Sequence, residues 1–186
     1  MKSLLKLGAV AMTATALLAG PATAAEPDQR VPRTTLFLKI DGIPGESTAD
    51  KHRGEIEIYS YSLGASQSGT GGAGGGGGTG KVTFSDFTFA KTTDSASPLI
   101  FKSVATGTHH KEAVLTAEKG RGRPQPYLTI RLQDVLISGI SSAGQEAGTA
   151  PTDKVTLDFA KVTMTSRAPD GSLVSTCWDV KTSRSC

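Results

Sequence analysis

The sequence predicts a mainly β fold, a closed or nearly closed barrel accompanied by one short α-helix, and three observations predict it. Segments of alternating apolar and polar residues recur from 35 to 180, and a single stretch among them carries helical punctuation. In three segments the apolar face changes sides partway. Ile56 and Ile58 give way to Ser60 and Ser62, Val82 and Phe84 are out of phase with Phe87 and Phe89, and Val155, Leu157 and Phe159 are out of phase with Val162 and Met164. Such phase changes mark bends and bulges, and bulges supply the curvature that closing a sheet requires.

The first segment of the chain lies outside this fold. Lys2 and Lys6 precede an apolar run from Leu7 to Ala19, and Pro21-Ala-Thr-Ala24 ends in a small-residue cleavage pattern. We read a secretory signal over residues 1–24, too short to span a bilayer, and a flexible leader over 25–35. Without Lys2 and Lys6 the chain has 18 basic residues against 17 acidic ones. Near neutrality argues against nucleic-acid binding and against attraction to anionic lipid, and no other stretch is apolar enough for membrane insertion.

Thr35-Leu-Phe-Leu-Lys-Ile40 is the first strand, closed by the turn chemistry of Asp41-Gly-Ile-Pro-Gly45. In the second, Glu55 to Leu63, Ile56 and Ile58 share one face, Tyr59 and Tyr61 the other, and a bend is expected between. Gly64 to Gly80 is glycine-rich and predicts a mobile loop between two strands. Its match to a phosphate loop fails, because Val82 follows Lys81 where Ser or Thr would hold magnesium, and a strand follows where a helix is needed. Lys81 to Phe89 is a strand with a bulge expected near Ser85 and Asp86. Ser97 reads as N-cap of the helix, Pro98 as its first residue and Gly107 as its left-handed end, with Ile100, Val104, Leu99 and Phe101 as the buried stripe. Strands follow over 111–119, 127–132, 135–140, 154–165 and 173–180, with a flexible loop over 141–152 and a hairpin turn at Ala168-Pro-Asp-Gly171.

Nothing in the pattern marks a catalytic site. There is no Gly-x-Ser-x-Gly elbow, and Glu55 and Glu57 alternate with apolar residues as an exposed wall does. His109 and His110 point to opposite faces of a strand and His52 stands apart, so neither metal nor cofactor is expected. Cys177 and Cys186 are the only cysteines. Export puts them in an oxidising compartment, where a disulfide would staple the tail and stabilise by roughly 3 kcal/mol at most.

Several segments stand in a specific order. They are Phe37-Leu-Lys-Ile-Asp-Gly-Ile-Pro-Gly-Glu-Ser47 with His52 after it; Tyr61-Ser-Leu-Gly64, running through Ser66-Gln-Ser68 into the glycine loop; and Gly80-Lys-Val-Thr-Phe-Ser-Asp-Phe87. Asp94 to Leu99, Thr106-Gly-Thr-His-His-Lys-Glu112, Leu132-Gln-Asp-Val-Leu-Ile-Ser138, Pro151-Thr-Asp-Lys-Val-Thr-Leu-Asp-Phe159, Pro169-Asp-Gly171 and Trp178-Asp-Val-Lys181 continue the series. Their order and spacing resemble the haemolysin-coregulated protein (Hcp) family, the tube protein of type VI secretion systems. The resemblance spans residues 36–181, leaving 182–186 as a tail, and implies a two-sheet β-barrel with one short flanking α-helix.

It also implies no catalysis, hexameric rings that stack into a tube, and small effector proteins as partners in the lumen. By the same resemblance Ser62 and Tyr61 are candidates for the lumen wall, and Ser68, Gly69, Gly71, Gly74 and Gly80 for a loop reaching the next ring. Two departures stand out. The family's Trp-Ser-Trp-Gly stretch reads Tyr61-Ser62-Leu63-Gly64, and tube subunits assemble in the cytoplasm without a cleaved leader. The expectation is therefore a stand-alone exported relative, periplasmic or extracellular, that keeps the ring fold. Its alternative is a monomeric exported barrel that binds a peptide, glycan or surface partner through its glycine loop and tyrosine strand.

Overall fold

The computed structural model describes residues 34–69, 79–120, 124–144 and 148–186. The expected secretory signal, most of the leader, and Gly71 and Gly74 of the glycine loop lie outside the described residues. In chain order the elements are β1 (Thr34–Ile40), β2 (Ile56–Ile58), β3 (Ser60–Ser62), β4 (Ala65–Gly69), β5 (Thr79–Phe84), β6 (Phe87–Thr92), α1 (Ala96–Thr106), β7 (His109–Lys119), β8 (Gln125–Ala143), β9 (Thr152–Arg167), β10 (Leu173–Asp179) and β11 (Arg184–Ser185).

Period-two alternation decides which side each strand buries. β1 turns in Leu38 and Ile40, β6 Phe87 and Phe89, β7 Ala113, Leu115 and Ala117. Pairing then produces two sheets that share two long strands. β8 and β9 run antiparallel over nearly their whole length. The first part of β8 pairs with β7, which pairs with β1, which pairs with β2. On its other edge β9 carries β6 along residues 152–157 and β10 along 161–167, and β3 pairs with β6.

β2 and β3 are consecutive, with only Tyr59 between them, and the Tyr59 N–H donates to the Ala90 carbonyl at 2.8 Å. The path of paired strands thus begins and ends on one stretch of chain. No ladder joins β2 to β3; the covalent backbone closes the circuit. The fold is a two-sheet β-barrel flanked by α1, whose Ala96 and Ile100 join the core.

The three expected phase changes turn out to be three different devices. At Tyr59 the chain changes partner from β1 to β6, which is the bend expected there. At Ser85 and Asp86 there is no bulge: the chain passes between sheets, since β5 pairs only with β4 in a separate two-stranded ribbon. Ser85 pins the ribbon's base, its N–H donating to the Gly64 carbonyl at 2.9 Å and its Oγ accepting the Gly64 N–H at 2.8 Å. Residues 65–69 and 79–80 are accordingly strand where a loop was expected. In β9 the register between Leu132↔Val162 and Val135↔Phe159 is unbroken although all four side chains are buried. Both strands turn over together at that level. Asp134 makes this turn on β8 with φ 52°, a left-handed conformation that Asp tolerates better than most residues.

The helix starts at Ala96 with Ser95 as its N-cap, two residues before the expected cap at Ser97. Its Ser97 hydroxyl is engaged elsewhere, accepting the Asp94 N–H at 3.0 Å and donating to Asp153 at 2.5 Å. Asp94 does the capping, its carboxylate accepting the Ala96 N–H at 2.8 Å. The end is as expected: Gly107 has φ 62°, its N–H reaches the Val104 carbonyl at 3.3 Å, and the Thr108 N–H reaches Ser103 at 3.1 Å. The stripe is as expected only in part: Ile100 is buried and Val104 packs against the core, with Ala96 and Ser103 buried beside them, while Leu99 is 39% and Phe101 66% exposed.

Under the helix start lies a buried ion pair. Lys91 Nζ, with its side chain wholly buried, donates to the Thr92 carbonyl at 2.7 Å and to Ser97 Oγ at 2.9 Å, and sits 2.7 Å from Asp94 and 3.3 Å from Asp153. Burial alone would raise the Asp153 carboxyl, but hydrogen bonds from Ser142, Ser97, Thr93 and Lys91 outweigh it and hold the group below its ordinary range. A carboxylate depressed on folding contributes stability above its unfolded pKa, about 3.9, and loses it as pH falls through the folded value. Urea midpoints are therefore expected to drop on acidification below about pH 4, and to drop less in Asp153→Asn. An identical acid limb in that variant would contradict the network.

Candidate functional site

The polar clusters are built as braces. His110 is buried, its Nδ1–H donating to the Asp41 carbonyl at 2.7 Å and its Nε2 3.2 Å from Ser103 Oγ, so it bolts α1 to the turn after β1. His52 stacks on Phe37 with ring centroids 4.1 Å apart, places Nδ1 2.8 Å from Glu55 and Nε2 3.4 Å from Glu118, and ties the 46–54 loop over β1. His109 faces outward beside Asp134 at 3.0 Å. Lys181, 2.5 Å away, and then His109 hold the Asp134 carboxyl below its ordinary value and tie the tail to β8. Among the described residues no group of three His, Cys, Asp or Glu side chains could hold a metal ion, and no helix is long and apolar enough to cross a membrane.

The distinctive surfaces are apolar. Val162, Met164, Val174 and Trp178 lie on one face of β9 and β10, continuing the layer that buries Ile130 and Leu132 in β8. The core face thus runs out past the core. Val82 and Phe84 of the ribbon stand opposite and enclose a cleft of about 380 Å³ that has no charged residue in its lining. Phe84 also packs edge-on against Phe159, with centroids 6.4 Å apart. Trp178 Nε1–H is buried there without an acceptor.

The structure separates the residues singled out from the sequence. Ser62 is exposed, but Tyr61 is turned toward the core and stacks on Phe87 with centroids 5.8 Å apart, so the two do not form one wall. Ser68, Gly69 and Gly80 belong to the ribbon strands β4 and β5. Cys177 and Cys186 are joined by a disulfide with Cα atoms 5.4 Å apart, folding β11 back onto β10. Sequence reasoning missed the exposed apolar residues Phe101, Met164, Leu173 and Val174. Their apolar character made them look like core. For Val174 the signal was present: it shares the face of Thr176 and Trp178 and stands just after the hairpin turn at Ala168 to Gly171.

A barrel whose histidines brace loops and whose distinctive surfaces are uncharged apolar faces and a separate ribbon is a structural protein that works through contact. Residues 37–165 match the family described as "Type VI secretion system effector, Hcp". The curated protein hcp1 of Pseudomonas aeruginosa is 40% identical over 153 residues, covering 78% of this chain and 94% of that protein. Among solved structures, Hcp1 from Salmonella typhimurium aligns with a TM-score of 0.72 at 34% identity, over 82% of this chain and 99% of that one. A type VI secretion system effector from Yersinia pestis aligns with a TM-score of 0.66 at 31% identity, over 78% of this chain and 99% of that one. The chain belongs to the Hcp family, and it is a tube and effector-carrier protein of the type VI secretion system. Hcp proteins are secreted by that system and self-assemble into rings or tubes.

Proposed function

We propose that this chain forms hexameric rings that can stack into a tube or be released as a carrier of small effector proteins, and that a cleaved signal over residues 1–24 takes it to the periplasm or medium, where it acts as a released ring rather than joining a tube that grows in the cytoplasm. The separate ribbon β4–β5 carries the reading. The ribbon pairs with no strand of the barrel's sheets, although Phe84 packs on Phe159 at its base; a two-stranded ribbon is marginal in water, and contact with another copy would support the rest of it. The competing monomeric binding module is weakened because Tyr61, half of its proposed binding strand, faces the core.

Light scattering and negative-stain microscopy of the chain from residue 25 onward provide the test. Rings of six are expected, and replacing residues 70–78 with two glycines is expected to leave rings but abolish their stacking. A strict monomer at high concentration would refute the ring, and stacks that survive the shortened loop would refute the loop's part in it.

A further inference from the structure

We propose that the Cys177–Cys186 disulfide is a redox latch that acts beyond the tail it closes: formed, it holds Val180 and Lys181 against the level where β8 and β9 turn over; reduced, it lets that level loosen. The chain it encloses has little else to hold it. β11 is two exposed residues, paired as Trp178↔Ser185 and Asp179↔Arg184, and the Cys186 N–H reaches the Cys177 carbonyl at 3.4 Å. The turn before it rests on a bond from the Thr182 N–H to the Asp179 carboxylate at 2.8 Å, and it puts Ser183 at φ 53°, a left-handed conformation that a side chain disfavours. So short a ladder does not offset the entropy of ordering the chain that makes it, and the covalent bridge is what keeps the tail closed.

The contacts of the closed tail give it reach. In the β8–β9 register Asp134 and Ala160 share one level, and the ladder passes over both, going from Gln133↔Lys161 to Val135↔Phe159. Asp134 is left-handed there, with φ 52°. The tail holds both members of that level: the Val180 N–H donates to the Ala160 carbonyl at 2.8 Å, and Lys181 Nζ donates to Asp134 at 2.5 Å. A residue other than glycine stays in such a torsion where its surroundings fix it, and here Lys181 on one side and His109 at 3.0 Å on the other do so. The Lys181 and Asp134 side chains are 68% and 46% exposed, and an exposed pair with a long side chain is weak unless the backbone carrying it is already in place. The disulfide puts it in place.

Cys186 is exposed, so its sulfur is open to a dithiol. A thiolate of the dithiol attacks Cys186 Sγ and breaks the S–S bond, giving a mixed disulfide and a Cys177 thiolate that takes up a proton. The second sulfur of the dithiol then displaces Cys186, which is protonated in turn. Two electrons and two protons have passed to the bridge, and the dithiol leaves as a disulfide. The reverse exchange, with an oxidised donor of the same class, closes the latch. An oxidising compartment therefore keeps the turnover tight and a reducing one releases it.

Hydrogen exchange of the full chain, read by mass spectrometry on peptides covering 130–137 and 176–186, tests this with the bridge intact or opened by dithiothreitol. Reduction is expected to speed exchange in the tail by about 100-fold, the factor that closing a loop of this length supplies, and at 133–135 by about 5-fold, the upper end for an exposed ion pair. Re-oxidation should restore both. Lys181→Ala should speed exchange at 133–135 with the bridge intact, leave the tail protected, and remove most of the response of 133–135 to reduction. Cys186→Ser should behave as the reduced wild type, and thermal melting checks that both variants are folded. A response to reduction confined to 176–186 would overturn the reach to Asp134, and an unchanged tail would overturn the latch itself. Neither readout involves ring formation, so a chain that proved monomeric would leave this inference standing.

Discussion

Asp153→Ala is expected to lower the free energy of unfolding by about 3–5 kcal/mol, the range for breaking a buried ion pair by removing one partner. Asp153 accepts from Ser97 at 2.5 Å, Ser142 at 2.6 Å, Thr93 at 2.9 Å and Lys91 at 3.3 Å. Truncation leaves three hydroxyls short of an acceptor and a wholly buried ammonium with one carboxylate instead of two. These groups come from β6 and the residue after it, α1, β8 and β9, so the loss is felt where the helix start meets both shared strands. Lys91→Met with Asp153→Leu should recover part of the loss, because apolar side chains of similar volume require no partner. Urea unfolding followed by Trp178 fluorescence measures both, and a loss below about 1 kcal/mol for the single variant would mean that the pair is not a stability element.

Gly45→Ala should cost about 3 kcal/mol, the upper part of the overpacking range, and lower the melting temperature by about 6 to 12 °C for a chain of this size. A Cβ at Gly45 would stand 2.4 Å from the Glu55 carbonyl oxygen and 2.5 Å from Ile56 N. Backbone, not a flexible side chain, is what it meets. Ile56 is fully buried and paired with Leu38, so it has no room to retreat. The Gly45 N–H also donates to Gly54 at 2.8 Å, and Ser47 donates to Glu55 at 3.0 Å, locking the 45–55 loop across this crossing. Gly54→Ala is the control: its φ of +75° strains an alanine by about 1–2 kcal/mol, yet nothing lies within 4 Å of the added carbon. Equal melting temperatures for the two variants would sink the steric account.

Much of the fold was legible because it is written in short-range terms. The left-handed end at Gly107 and the turn at Ala168 to Gly171, where the Gly171 N–H returns to Ala168 at 2.9 Å, depend on a few neighbouring torsions. The alternation of Leu128, Ile130 and Leu132, and the place where Ile58 hands over to Tyr61, depend only on the period of a strand. The candidate site was less legible. Exposed apolar residues such as Phe101 and Val174 have the composition of core, and nothing local to them says that no partner element covers them.

By itself the sequence determined most of the strand segments, the single helix, the bend at Tyr59 and the family to which the chain belongs. Only the tertiary structure decided that β5 and β6 belong to different sheets, that β8 and β9 turn over together, that Tyr61 faces inward and Phe101 outward, and that Lys91 lies buried against Asp153, 62 residues away. Torsions and periodicity are set by residues a few positions apart. Which face is covered, and by what, is set by chain brought back from far along the sequence.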